Sequence, residues 1–160
     1  MKFCKSHPQK RRWTQITLMI CLILLSAGCV RNPITPYTAP LLVGNNKIFV
    51  QVVKTPEELT KGLSGREKLT DDQGMLFIFD RPGNYGFWMK EMKFDLDIIW
   101  IRENKIVGIS ADVLHPRSAD EKLPMHYPSN NIDTVLEVNS GWSERNKINI
   151  GDEVKINDQE

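Results

Sequence analysis

The stretch Phe87-Trp88-Met89-Lys90, followed by Asp95 and Asp97, gathers aromatic, thioether, cationic and anionic side chains within eleven residues. Side chains of an extended segment alternate between faces, so Phe87 and Met89 share one side and Trp88 and Lys90 the other. With the first pair in the core, Trp88 and Lys90 emerge together as an aromatic plate beside an ammonium. Such a surface suits a sugar, a carboxylate or a partner's side chain. The competing arrangement packs Trp88 into the sheet and pairs Lys90 with Asp97, because large aromatics are mostly core residues.

A different chemistry attaches to Cys29, which closes the run Leu24-Leu25-Ser26-Ala27-Gly28-Cys29. Lys2, Lys5, Lys10, Arg11 and Arg12 make a basic start with no acidic residue, and Ile16 to Leu25 is an apolar run of about ten residues, the length of a secretory leader. A spanning helix needs roughly 20 apolar residues. Small residues at 26–28 suit a peptidase groove, so the pattern reads as a bacterial lipoprotein signal over residues 1–28, with the Cys29 thiol taking a diacylglycerol. An ordinary cleaved leader is the alternative. The membrane is then a partner through lipidated Cys29, held by the two or more chains that stable anchoring needs. Val30 is not the Asp that resembles inner-membrane retention signals of enteric bacteria, so the outer membrane, facing the periplasm, is preferred.

Cys4 and Cys21 lie in this leader, so the processed chain has no free thiol, no internal disulfide and no cysteine nucleophile. In an oxidising compartment such a domain depends on its apolar core. Removing the five leader cations from 21 leaves 16 Lys and Arg against 20 Asp and Glu over the 132 residues from Cys29 to Glu160. A mildly acidic chain without a basic stripe is a poor nucleic-acid binder, and no nucleic-acid partner is expected. There is no Gly-x-Ser-x-Gly elbow and no phosphate loop, and no cofactor is expected.

Met75, Met89, Met92, Met125, His115 and His126 raise the possibility of Cu(I), which thioether and imidazole ligands favour. Their spacing gives no tight cluster, and gap-filling in the core explains Met75 and Met89 better.

The elements that must carry these residues are short. Val30 to Pro40 holds three prolines and reads as an extended tether, with residues 29–45 outside the fold and a globular domain over 46–157. Ile48-Phe49-Val50-Gln51-Val52-Val53 is a strand. Thr55-Pro56-Glu57-Glu58 is a capping box opening a short helix that ends near Gly62. Met75 to Phe79 is an apolar strand, Arg81-Pro82-Gly83-Asn84 a turn, and Gly86 to Lys90 a further extended segment. Asp95–Ile101 and Lys105–Ser110, joined by Arg102-Glu103-Asn104, make a hairpin. Asp112 to Ile132 is one long surface loop, of the kind that is usually functional or mobile. Thr134–Val138 is a strand, Ser140 caps a helical turn through Arg145, and Ile148–Ile156 ends the domain. The expected fold class is β-rich α+β: one compact domain with a curled, barrel-like, mostly antiparallel sheet and one or two short helices.

Gly62-Leu63, Arg66, Gly74-Met75-Leu76-Phe77, Phe87-Trp88-Met89-Lys90, Leu96-Asp97-Ile98-Ile99, Val135-Leu136-Glu137, Gly141 and Gly151-Asp152, in this order, resemble the DUF192 family of small, often exported bacterial and archaeal proteins. The resemblance spans Lys47 to Ile156 and brings no agreed activity. Ser64, Glu91-Met92 and Asp95 stand where the family commonly has Met, Asn-Thr and Pro. Arg66, Asp97 and Glu137 are the polar residues tied most closely to these motifs. Asp97 and Glu137 could act as an acid–base pair on envelope glycans if one carboxyl titrated high and the other low. Otherwise they cap turns or pair with Arg66 and Lys90. The expectation is a lipid-anchored envelope protein that binds a small ligand or an envelope protein through Arg66, Trp88, Lys90, Asp97 and the 112–131 loop. The hydrolase and the copper protein stand as alternatives.

Overall fold

The structure is a computed structural model and describes residues 39–118 and 120–156. The leader and Cys29 lie outside these residues. Seven strands, β1 (Ala39–Val43), β2 (Asn46–Val53), β3 (Gln73–Gly83), β4 (Leu96–Arg102), β5 (Lys105–Val113), β6 (Ile132–Asn139) and β7 (Val154–Ile156), form one sheet with two short helices, α1 (Pro56–Lys61) and α2 (Trp142–Arg145). The sheet order is β5-β4-β6-β3-β2-β1-β7. All pairings are antiparallel except β2 with β3, which run parallel because α1 carries the chain back between them. Among the described residues no helix is long and apolar enough to cross a membrane.

The sheet curls until its two edges meet at one end. Val154 donates its N–H to the Asn104 carbonyl at 2.8 Å, Ile106 to Asp152 at 2.9 Å and Gly151 to Ile106 at 2.8 Å. Side chains from all seven strands therefore share one inner core, which includes Leu41, Ile48, Leu76, Ile99, Ile106, Leu136 and Val154. The outer face of β3, β4 and β6 carries a second core, where Met75, Phe77, Ile98, Trp100 and Val135 meet Leu63, Leu69, Met89 and Met92 from the connecting loops. Covering both faces explains why Leu96 to Ile101 is wholly buried, with no polar alternation of a half-exposed strand.

Local chemistry sets the connections. Thr55 Oγ1 accepts from Glu58 N at 3.3 Å while Glu58 Oε2 accepts from Thr55 N at 3.2 Å, the reciprocal capping box. Glu103 and Asn104 have φ of 51° and 61°, the left-handed pair that a two-residue hairpin between β4 and β5 requires.

The structure corrects four expectations. Residues 39–43 are not tether: β1 pairs with both β2 and β7, because Leu41 and Val43 supply apolar side chains the inner core needs. Arg81–Gly83 is not a turn but the end of β3, which passes an irregularity after Ile78 and rejoins β6 at Gly83 opposite Ile132. Residues 86–90 are not a strand, since Phe87 makes only an isolated bridge to His126. Ser140 does not cap α2: its hydroxyl bonds Asp112 Oδ1, and Gly141, with φ 72°, holds the N-cap position.

Candidate functional site

The two carboxyls of the hydrolase alternative lie on opposite faces of the sheet. Asp97 pairs with Val138 and Ile98 with Glu137 across β4 and β6, so alternation sends Asp97 inward and Glu137 outward. Glycosidic chemistry needs both carboxyls flanking one bond. Asp97 and Glu137 cannot do that.

Asp97 is fully buried and its two oxygens are occupied. Oδ1 accepts from the N–H of Asp112 and of Gly141, each at 3.0 Å, and Oδ2 accepts from Ser143 N at 2.9 Å and Ser143 Oγ at 2.5 Å. It ties the start of α2 to the end of β5, and α2 in turn places Trp142 in the inner core. Asp97 is thus a structural carboxylate. It does not join Trp88 and Lys90 in one face.

Glu137 is the reverse. It is 6% exposed, and burial among apolar side chains pushes its carboxyl up from 4.5 to about 8. No sealed side-chain polar atom among the described residues lacks a hydrogen bond. Because Glu137 bonds no described side chain or backbone group, its carboxyl is not sealed but opens onto the cleft it lines. It neither caps a turn nor pairs with Arg66 or Lys90.

That cleft has a volume of about 270 Å³. One wall is the end of α1 and the loop after it, from Leu59 to Ser64; the other is aromatic, with Phe77 and Phe79 from β3 and Tyr85, Phe87 and Trp88 from the following loop. Phe79 and Tyr85 stack with centroids 3.8 Å apart, and Phe87 meets Phe77 edge-on at 5.0 Å. Hydrogen bonds brace the walls: Gly65 N donates to Glu91 O at 2.9 Å, the Ser64 hydroxyl to Lys90 O at 2.9 Å, and Phe87 exchanges backbone bonds with His126 at 2.9 and 2.7 Å. The last pair brings Met125 and Tyr127 against Gly86, where an added Cβ would lie 2.6 Å from each. The loop between β5 and β6 thereby borders the mouth; the loop expected over 112–132 is shorter at both ends, since Asp112 and Val113 finish β5 and buried Ile132 starts β6.

Trp88 is 51% exposed there, and the Lys90 ammonium sits 5.3 Å from its ring centroid. These two emerge together, while Met89 is buried beneath them. Arg66 donates to Gln51 Oε1. Asp95 pairs instead with His115, whose Nδ1 is 2.6 Å away; partial burial works to raise the Asp95 carboxyl, but the His115 N–H, ring and charge outweigh it and hold it below the usual carboxylate range. Met75, Met89 and Met92 pack in the outer core, and among the described residues no three His, Cys, Asp or Glu are grouped to hold a metal.

Phe77, Phe79 and Tyr85 are site residues that the sequence expectations above do not include. Period-two alternation along Met75, Phe77 and Phe79 was the available signal. So was Glu137, a carboxyl inside a strand apolar on both faces.

The family model of DUF192, described as an uncharacterized ACR, matches residues 41–156. No curated protein matches the chain. Two crystal structures share the fold. One, from Sinorhizobium meliloti 1021 and provisionally named a transcription regulator, is 24% identical over 75% of this chain and 95% of its own, with a TM-score of 0.66. The other, a protein of unknown function from Novosphingobium aromaticivorans DSM 12444, is 28% identical over 77% of this chain and 89% of its own, also with a TM-score of 0.66.

Proposed function

We propose, for a chain that belongs to the DUF192 family, that it is a lipid-anchored envelope protein whose domain binds a small ligand in the Glu137 cleft. The observation that carries the binding half is a nearly buried carboxyl, without a partner among the described residues, facing a cavity walled by aromatic rings. Folding does not need it: an apolar residue would satisfy the outer core at lower cost. A buried group that opposes stability and faces a cavity is the mark of a site kept for its ligand. The anchoring half rests on the Leu24–Cys29 run and the basic, apolar leader before it.

Two measurements test the two halves. Intact-mass analysis of protein extracted from native membranes is expected to find Cys29 as the first residue, carrying acyl chains; Met1 retained with bare Cys29 refutes anchoring. A thermal-shift screen of the full chain against small metabolites is expected to give hits that Glu137→Gln loses. Hits that shift both proteins equally place the ligand elsewhere and refute the cleft. A protein partner is the second reading, favoured by Trp88, Met125 and Tyr127 exposed at the mouth.

A further inference from the structure

We propose that the ligand of this cleft is a small organic cation, an ammonium with a compact apolar body, held by the Glu137 carboxylate and the surrounding rings. The inference rests on the cleft being a ligand site and adds the ligand's charge. It follows from counting what the walls can still offer. The three hydroxyls that line the cleft already donate to backbone carbonyls: Thr60 to Pro56 at 2.7 Å, Ser64 to Lys90 at 2.9 Å and Tyr85 to Arg81 at 2.8 Å. These hydroxyl oxygens can still accept, but Glu137 is the one carboxyl among the lining residues, and no described residue donates to it. A polyol such as a sugar needs several convergent polar groups. This cleft presents one unspent carboxyl and five aromatic side chains.

An anion is disfavoured by the same inventory. The loop after α1 spends the N–H of Gly62 on Glu58 O and that of Ser64 on Lys61 O, so it offers no nest of free N–H groups. Lys61 lines the mouth but is exposed and solvated. A cation, by contrast, meets a carboxyl in a low-dielectric site and the negative faces of aromatic rings. The structure contains an internal example: the Lys90 ammonium already rests over Trp88 at the rim. A volume of about 270 Å³ limits the guest to something smaller than a drug-sized molecule.

Binding a cation ionises Glu137, so a proton leaves the carboxyl to buffer as the ligand enters. The charged and titratable groups near that carboxyl are Lys61 and Tyr85 in the walls and Lys90 at the rim. The released proton is assigned to Glu137, the one carboxyl among the residues that line the cleft.

Choline and its uncharged isostere 3,3-dimethyl-1-butanol separate charge from shape. Titration calorimetry of the purified full chain at pH 7, in two buffers of different ionisation enthalpy, is expected to show choline binding at least about tenfold tighter than the alcohol, with release of nearly one proton. Glu137→Gln should abolish both the preference and the proton release, and Trp88→Ala should weaken choline several-fold. Binding of the alcohol as tightly as choline, lost in Glu137→Gln, leaves the cleft a ligand site and overturns the cation. If neither choline, tetramethylammonium and ethanolamine nor the alcohol binds at millimolar concentration, the cation proposal falls and the small-ligand reading falls with it.

Discussion

Replacing Glu137 by Gln should stabilise the domain, and increasingly so as pH rises. The Glu137 carboxyl titrates near 4.5 in an unfolded chain and near 8 in the folded one, the cause being burial. Below 4.5 both states are protonated and burial of the neutral acid is all that folding must bear. Between the two values the unfolded chain releases its proton while the folded one keeps it, so stability falls with pH and levels off above 8. At 1.36 kcal/mol per pH unit the full loss approaches roughly 5 kcal/mol, and about 4 kcal/mol of it falls between pH 5 and pH 9. Gln is nearly isosteric and never ionises, so the variant escapes this loss. Urea unfolding of a chain from Arg31 to Glu160, which holds both cores, measures it. With a slope of about 2 kcal/mol/M, the two midpoints should draw apart by roughly 2 M between pH 5 and pH 9, the Gln variant being the more stable. Midpoints that stay parallel across this range would show that Glu137 ionises as readily in the folded chain as in the unfolded one, which refutes the raised carboxyl.

Asp97→Asn should do the opposite. Whichever way the amide turns, its NH₂ replaces an oxygen that accepted two bonds, stranding at least one buried N–H of α2 or β5. A loss of about 2–4 kcal/mol is expected by urea unfolding at neutral pH; a loss under about 0.5 kcal/mol would show that Asp97 does not hold α2. Gly74→Ala puts a Cβ 2.9 Å from the Glu137 carbonyl and 3.1 Å from Leu136 Cδ1, both buried. It should cost about 1–3 kcal/mol by the same assay, and an unchanged midpoint would mean that β3 and β6 part freely at this point.

Local patterning decides the elements that are legible in the sequence. The Thr55–Glu58 capping box, the hairpin between β4 and β5 and the apolar β3 start follow from residues close in sequence, and a curled β-rich domain follows from their number and length. β1 escaped because Pro36 and Pro40 dominate its neighbourhood, while its place depends on Leu41 and Val43 filling a core built by distant strands. Residues 86–90 alternate like a strand but lack a neighbour to pair with except at Phe87. The site was half legible. Trp88 and Lys90 emerge side by side as alternation suggests, and Glu137 stood out as a polar residue. That Asp97 faces the other side of the sheet follows from the β4–β6 register, which pairs Asp97 with Val138 across some forty residues and which no local pattern specifies.

A neutral carboxylic acid in an aromatic cleft is the central feature of the site. Carbon-13 NMR titration of the Glu137 side-chain carboxyl, assigned by its absence in Glu137→Gln, reads that state directly in the ligand-free protein. A midpoint near 8 is the expected result. A midpoint near 4.5, the ordinary value for a solvated glutamate, would contradict it.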